Sequence, residues 1–116
     1  MTNLLAETVQ CILENNMTPK DVEWIGSLDG EYSMTWDEYE ELANFEYDSG
    51  FGSQAIATDL VIVMKDGSWM ERGEYDGSEW WECHFPNKMK PKPNAKKITN
   101  LGGDAIIWDT LKELNK

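Results

Sequence analysis

Positive charge is what this 116-residue chain has least of: 10 Lys and Arg stand against 22 Asp and Glu, a formal charge of −12. A surface of that sign repels phosphate, which excludes non-specific attraction to DNA, RNA or anionic lipid. Cysteine is nearly as scarce. Cys11 and Cys83 show no CxxC spacing and are too few for a disulfide framework, so two buried free thiols in a reducing compartment are expected. The lone histidine, His84, adjoins Cys83, but neighbouring strand residues point to opposite faces and no second His or Cys pair is near; no metal site is expected. The chain also lacks a glycine-rich phosphate loop, a GxSxG elbow and a twelve-residue calcium loop. A carboxylate pair can be drawn almost anywhere among 22 acids and so carries no information about acid–base chemistry. No catalytic residue and no cofactor are expected. The longest apolar run, Leu60 to Met64, falls far short of the roughly 18 residues that cross a bilayer. The first sixteen residues lack a basic start and hold Glu7 and Glu14 within their apolar stretch, unlike a signal peptide. A soluble, non-enzymatic protein with no membrane partner is the expectation.

Aromatic residues are plentiful, with six Trp, four Tyr and three Phe, and they argue for a packed core over disorder. The length suits one domain spanning residues 1–116. Leu4, Leu5, Val9, Ile12 and Leu13 recur at helical spacing, which predicts a helix over 3–15. Thr18-Pro19-Lys20-Asp21 reads as one helical turn before a strand from Val22 to Gly26, and Asp29-Gly30 turns the chain into a return strand, Glu31 to Met34. Thr35 and Glu38 fit a capping box for a helix running to about Phe45, with Trp36, Tyr39 and Ala43 on one face. Residues 46–57 read as a loop whose Tyr47 and Phe51 tuck back onto the body. Three strands, 59–65, 68–75 and 78–85, then follow as an antiparallel meander joined by Asp66-Gly67 and Asp76-Gly77 turns. The first is apolar throughout and reads as central; the second alternates Trp69, Glu71, Gly73 and Tyr75 with Met70, Arg72 and Glu74, which reads as a half-exposed strand. A Lys- and Pro-rich surface crossing at about 86–99 leads to a closing helix, 104–114, entered at Asp104 with Ile107, Trp108 and Leu111 inward. The fold class is therefore α+β, an antiparallel sheet of four to five strands packed with N-terminal, middle and C-terminal helices.

Charge is distributed unevenly. From Asp21 to Glu82 there are 17 acids and only Lys65 and Arg72, whereas Cys83 to Gly103 holds five lysines and no acid. Asp37, Glu38, Glu40 and Glu41 have no base at i+3 or i+4, so their repulsion costs stability. Such a run reads either as a solvated face that keeps the protein soluble or as a surface for a basic partner. Carboxylates on a helix or strand repeat every ~6–7 Å, close enough to fill lysine and arginine pockets built for a row of phosphates. Candidate rows are Asp37, Glu38, Glu40 and Glu41, and Glu74, Asp76, Glu79 and Glu82 around the last hairpin. Trp80-Trp81 must send one ring to each face; either both pack in the core or an exposed Trp80, with Tyr75, anchors an interface.

The segment DLVIVMKDGSWMERGEYDGSEWWE, with SMTWDEYEELANFEYDSGFG upstream, resembles a group of small acidic proteins of phages and prophages of low-GC Gram-positive bacteria. The likeness spans about residues 18–85 and brings no known catalytic or binding residues with it. In size and acidity the chain is also similar in type to anti-CRISPR proteins. The resemblance implies a phage-encoded inhibitor in the bacterial host cytoplasm, a DNA mimic binding a basic nucleic-acid-handling protein, with a CRISPR effector nuclease favoured. The partner-binding residues would be Asp37, Glu38, Glu40, Glu41, Glu74, Tyr75, Asp76, Glu79 and Trp80, on a monomer or small homo-oligomer. The alternative is a small phage accessory or assembly protein that oligomerises through its Trp-rich sheet.

Overall fold

The structure, a computed structural model, describes residues 1–50, 54–75, 78–85, 91–103 and 108–116. Its elements are β1 (Thr2–Asn3), α1 (Leu4–Glu14), a 3-10 turn (Pro19–Asp21), β2 (Val22–Ser27), β3 (Tyr32–Met34), α2 (Trp36–Leu42), β4 (Glu46–Tyr47), β5 (Leu60–Met64), β6 (Trp69–Tyr75), β7 (Ser78–His84), β8 (Lys96–Lys97) and α3 (Leu111–Leu114). The class is α+β. Six strands form a mixed sheet in the order β7-β6-β5-β2-β3-β8, and β1 and β4 form a separate antiparallel pair.

Local chemistry explains most of these elements. Asn3 caps α1 by accepting from Ala6 N–H, and Thr35 with Glu38 closes a capping box on α2. Gly30 and Gly67 adopt the positive φ that the DG turns demand. The all-apolar β5 lies between β6 and β2, as its pattern predicts, with Leu60, Ile62 and Met64 facing the main core and Val61 and Val63 facing the other way.

The helices, together with β1 and β4, sit against one face of the sheet. That face carries the main core, with Leu4 and Ile12 of α1, Tyr39 of α2, Tyr47 of β4 and Leu111 of α3 fully buried against Ile25, Ile62, Met64 and Met70. On the opposite face the apolar material is a small cluster of Trp24, Val61 and Val63, with Trp69 packed beside it. No helix among the described residues covers it.

Several expectations are corrected. The inward line of α1 is Leu4, Thr8 and Ile12, while Leu13 is exposed; a buried threonine, satisfied by hydrogen bonds, takes a place that hydrophobicity alone would not assign. Helix α2 ends at Leu42, three residues early, with Ala43 as its cap. Arg72 is buried, so the charge-bearing side of β6 is partly the covered side. Lys96–Lys97 is not a bare crossing: it pairs in parallel with β3 at Tyr32 and Ser33, a sixth strand. The closing helix is only Leu111–Leu114, capped by Thr110, with Trp108 exposed; Asp104 and Ile107 lie outside the described residues. Tyr47 does tuck inward, and Phe51 lies outside the described residues. Cys11 and Cys83 are free but only half-buried.

Two glycines make the sheet possible in different ways. A Cβ on Gly26 would run into the backbone carbonyl of Tyr32, whereas on Gly73 its nearest neighbours would be the side-chain ends of Glu82 and Trp80. Gly26→Ala is therefore expected to lower the unfolding free energy by about 1–3 kcal/mol through overpacking against backbone. Gly73→Ala should cost less and displace Trp80, read as a change in tryptophan fluorescence alongside urea denaturation.

Candidate binding surface

The sequence-derived carboxylates are not brought into one row. Asp37, Glu38, Glu40 and Glu41 are all exposed on α2, and α2 packs on β2. Three strand spacings, about 14 Å, separate β2 from β7, so the helix acids and the hairpin acids form distinct patches. Glu38 is held by its own cap: its Oε1 accepts from Thr35 N–H at 2.9 Å and from Thr35 Oγ1 at 3.2 Å. That backbone hydrogen bond holds its carboxyl below the ordinary range, with Lys97 adding a smaller pull. The basic segment thus folds back on the acidic one at this edge, where Lys92 Nζ also reaches Glu31 Oε1 at 3.3 Å and Lys96 lies over the Tyr32 ring.

On the hairpin, Glu79 is not a surface residue. Its side chain is fully buried and ion-paired with Arg72 at 2.9 Å, and it accepts from Ala55 N–H at 2.6 Å. Charge on Glu79 is consumed inside, which removes it from any phosphate-like row. Arg72 also donates to Tyr47 Oη at 2.8 Å and to Glu7 Oε1 at 3.3 Å, and its guanidinium lies 4.7 Å from the Trp81 ring centroid. Burial opposes the Arg72 charge, but Tyr47, Glu7 and Glu79 outweigh it and raise its pKa. The neighbouring Trp81 Nε1–H donates to Thr8 Oγ1 at 3.0 Å, and Thr8 meets Tyr39 Oη at 2.8 Å. Burial pushes the Tyr39 and Tyr47 phenols up, so both remain protonated donors. This network ties α1, α2, β4, β6 and β7 together and is built to hold charge fixed.

Trp80 and Tyr75 do come together on the open face. The register pairs Gly73 with Trp80 and Tyr75 with Ser78, so these residues share a side; Tyr75 is 77% exposed and Trp80 37%. Trp80 leans over Gly73. Glu74 sits opposite Glu79 in the register, and Asp76 lies outside the described residues.

Glu71, which the sequence reading left out, and Glu82, which it placed in a candidate row but not among the binding residues, complete this face. Glu71 and Glu82 are directly opposed across β6 and β7, a like-charge arrangement that destabilises a sheet. His84 Nε2 reaches Glu71 Oε2 at 2.8 Å, and its ring stacks on Trp69 at 4.8 Å; Glu82 remains exposed. The signal was available: a two-residue DG turn fixes the pairing of the whole hairpin, and counting back from Tyr75 and Ser78 places these acids opposite each other. At the β6–β7 hairpin this face therefore presents Glu71 and Glu82 among Trp69, Tyr75 and Trp80, while Trp24, Val61 and Val63 further into the sheet are buried. Arg72, the base on these strands, is turned inward.

Thiol chemistry is not poised here. Burial first, then Cys83, Glu14 and Glu7, push the Cys11 thiol up to about 11, and burial and Asp66 raise Cys83. Among the described residues no three His, Cys, Asp or Glu side chains gather to hold a metal ion, and no helix is long and apolar enough to cross a membrane. Comparison with protein families, curated proteins and solved structures finds no match to this chain.

The caps set an acid limit on the fold. Asp29, Glu38, Asp66 and Glu113 are all held below their ordinary values by hydrogen bonds to their charged forms. A depressed carboxyl pKa stabilises the fold fully above the unfolded value and is lost as pH falls through the folded one. Asp59, raised by burial, acts in the opposite sense. Stability measured by urea denaturation should decline as pH falls below about 4.5, the ordinary value for Glu38. Glu38→Gln should flatten that decline; an unaltered pH profile would show that the cap is not an energetic contact.

Proposed function

We propose that the protein is a non-catalytic acidic binder that occupies a basic, nucleic-acid-binding surface of a partner protein, in the manner of a phage-encoded inhibitor. The observation that carries this reading is the opposed pair Glu71 and Glu82 on the tryptophan-bearing face of the β6–β7 hairpin, where Glu82, Tyr75 and Trp80 are exposed. A pair of like charges costs folding free energy, and such a local cost is expected where a surface serves binding. Two carboxylates at cross-strand spacing suit a guanidinium or a pair of ammonium groups, and flanking Trp and Tyr rings supply apolar and cation–π contact. The acids of α2, Asp37, Glu40 and Glu41, form a second patch that adds long-range attraction.

A CRISPR effector nuclease is the favoured target, a choice that rests on the phage resemblance and on the arginines with which such enzymes grip DNA. Self-assembly through the Trp-rich face is the weaker reading, because two copies of the same acidic face repel each other.

The test uses Glu82→Gln. Removing one member of the opposed pair should stabilise the fold by about 0.2–1 kcal/mol while weakening inhibition of a guide-loaded nuclease on the order of tenfold. Binding by the unaltered protein should fade steeply with salt and be competed by duplex DNA. Unchanged inhibition in a more stable variant would remove the open face from the site. Absence of salt-sensitive binding to basic nucleic-acid-binding proteins would overturn the reading itself.

A further inference from the structure

We infer that the groove between α1 and the outer edge of β7 receives an extended, lysine- or arginine-bearing segment of the partner, which adds to the sheet as a further strand. This rests on the reading of the protein as an acidic binder and gives the form of the basic element it captures. The groove, about 430 Å³, is lined by Glu7, Gln10, Cys11 and Glu14 of α1 and by Trp80 and Trp81 of β7. β7 ends the six-stranded sheet, and among the described residues no strand pairs with its outer side.

The backbone polarity of that edge follows from the register. Glu79 N–H points away from β6, since it donates to the Ser49 carbonyl at 2.8 Å. Outward groups recur every second residue in an antiparallel ladder, so the N–H and C=O groups of Trp81 and Cys83 point the same way. Ser49, whose hydroxyl meets Thr2 Oγ1 at 3.0 Å, closes the edge at Glu79 and leaves the stretch beyond it beside α1. Exposed strand edges are templates for any extended chain unless charge guards them.

Here the guards are all of one sign. Glu7 and Glu14 stand two turns apart on the wall of the groove, about 10 Å along the helix. Glu7 uses its Oε1 for Tyr47 and Arg72 and still lines the groove, so its position is fixed from behind. A second copy of this chain, pairing edge to edge, would bring its own groove acids against these. A basic segment meets the same groups with complementary charge, and main-chain pairing supplies the affinity that surface ion pairs lack.

The experiment titrates the 116-residue chain with a short peptide alternating lysine and valine, and follows affinity by calorimetry and the site by amide chemical shifts. The expected result is salt-sensitive binding with shifts at Trp81, Cys83 and the groove face of α1. Affinity should fall at least about tenfold for a probe N-methylated at alternate residues, and likewise for the double variant Gln10→Lys with Glu14→Lys, both exposed positions. If the double variant binds normally and Glu82→Gln does not, the basic segment lies on the open face and the groove assignment falls while the acidic-binder reading stands. Equal binding of the N-methylated probe, or a stable homodimer through β7, would overturn strand addition. If neither the peptide nor a basic nucleic-acid-binding protein is bound at low salt, both readings fail.

Discussion

A guanidinium withdrawn from water must be paired, and the placement of Arg72 constrains everything around it. Its side chain is fully buried, and it is held by Glu79, Glu7 and Tyr47, drawn from β7, α1 and β4. Removing one partner of such a pair strands a buried charge at a cost of about 3–5 kcal/mol. Glu79 in turn accepts from the backbone of Ala55 and Ile56, so the long connection before β5 is held by the same charge. The helix, the irregular segment and the terminal hairpin are thereby docked by one ionic cluster, with hydrophobic contacts filling the space around it.

That cluster also shapes the outer surface. The Asp21–Glu82 segment has only two bases, and one of them is spent inside. The lysines after Gly30 in space, Lys92, Lys96 and Lys97, lie against Glu31, Tyr32 and Glu38 at the β3 and β8 edge. At the other end of the sheet Glu71 and Glu82 oppose each other beside exposed aromatics, with His84 against Glu71. The proposed binding role for that end would account together for its opposed acids, its exposed Tyr75 and Trp80 and, among the described residues, its unpaired strand edge.

Local signals in the sequence carried far. Capping boxes, DG turns and the apolar run Leu60 to Met64 placed α2, the hairpins and the central strand, because each rests on chemistry within a few residues. Three of the misread features are non-local. Arg72 shares the inward side of β6 with Met70, and a charge is tolerated there because Glu7 and Tyr47, 65 and 25 positions away, arrive to pair with it. Glu79 was taken for a surface phosphate stand-in for the same reason. Lys96 and Lys97 became a strand because β3 offered an edge, which no propensity of a Lys-rich stretch would indicate. The true composition of the open face was within reach, since the turn fixes register, but parity had to be followed across both strands of the hairpin.

The most direct test is native-state hydrogen exchange on Arg72→Lys, which keeps the charge and removes the fork that reaches several partners. If Arg72 docks these elements, protection should fall together in α1, at Ala55 and Ile56 and along β7, while β2 and β5 keep theirs. Protection unchanged across all of them, or lost uniformly through β2 and β5 as well, would contradict the account.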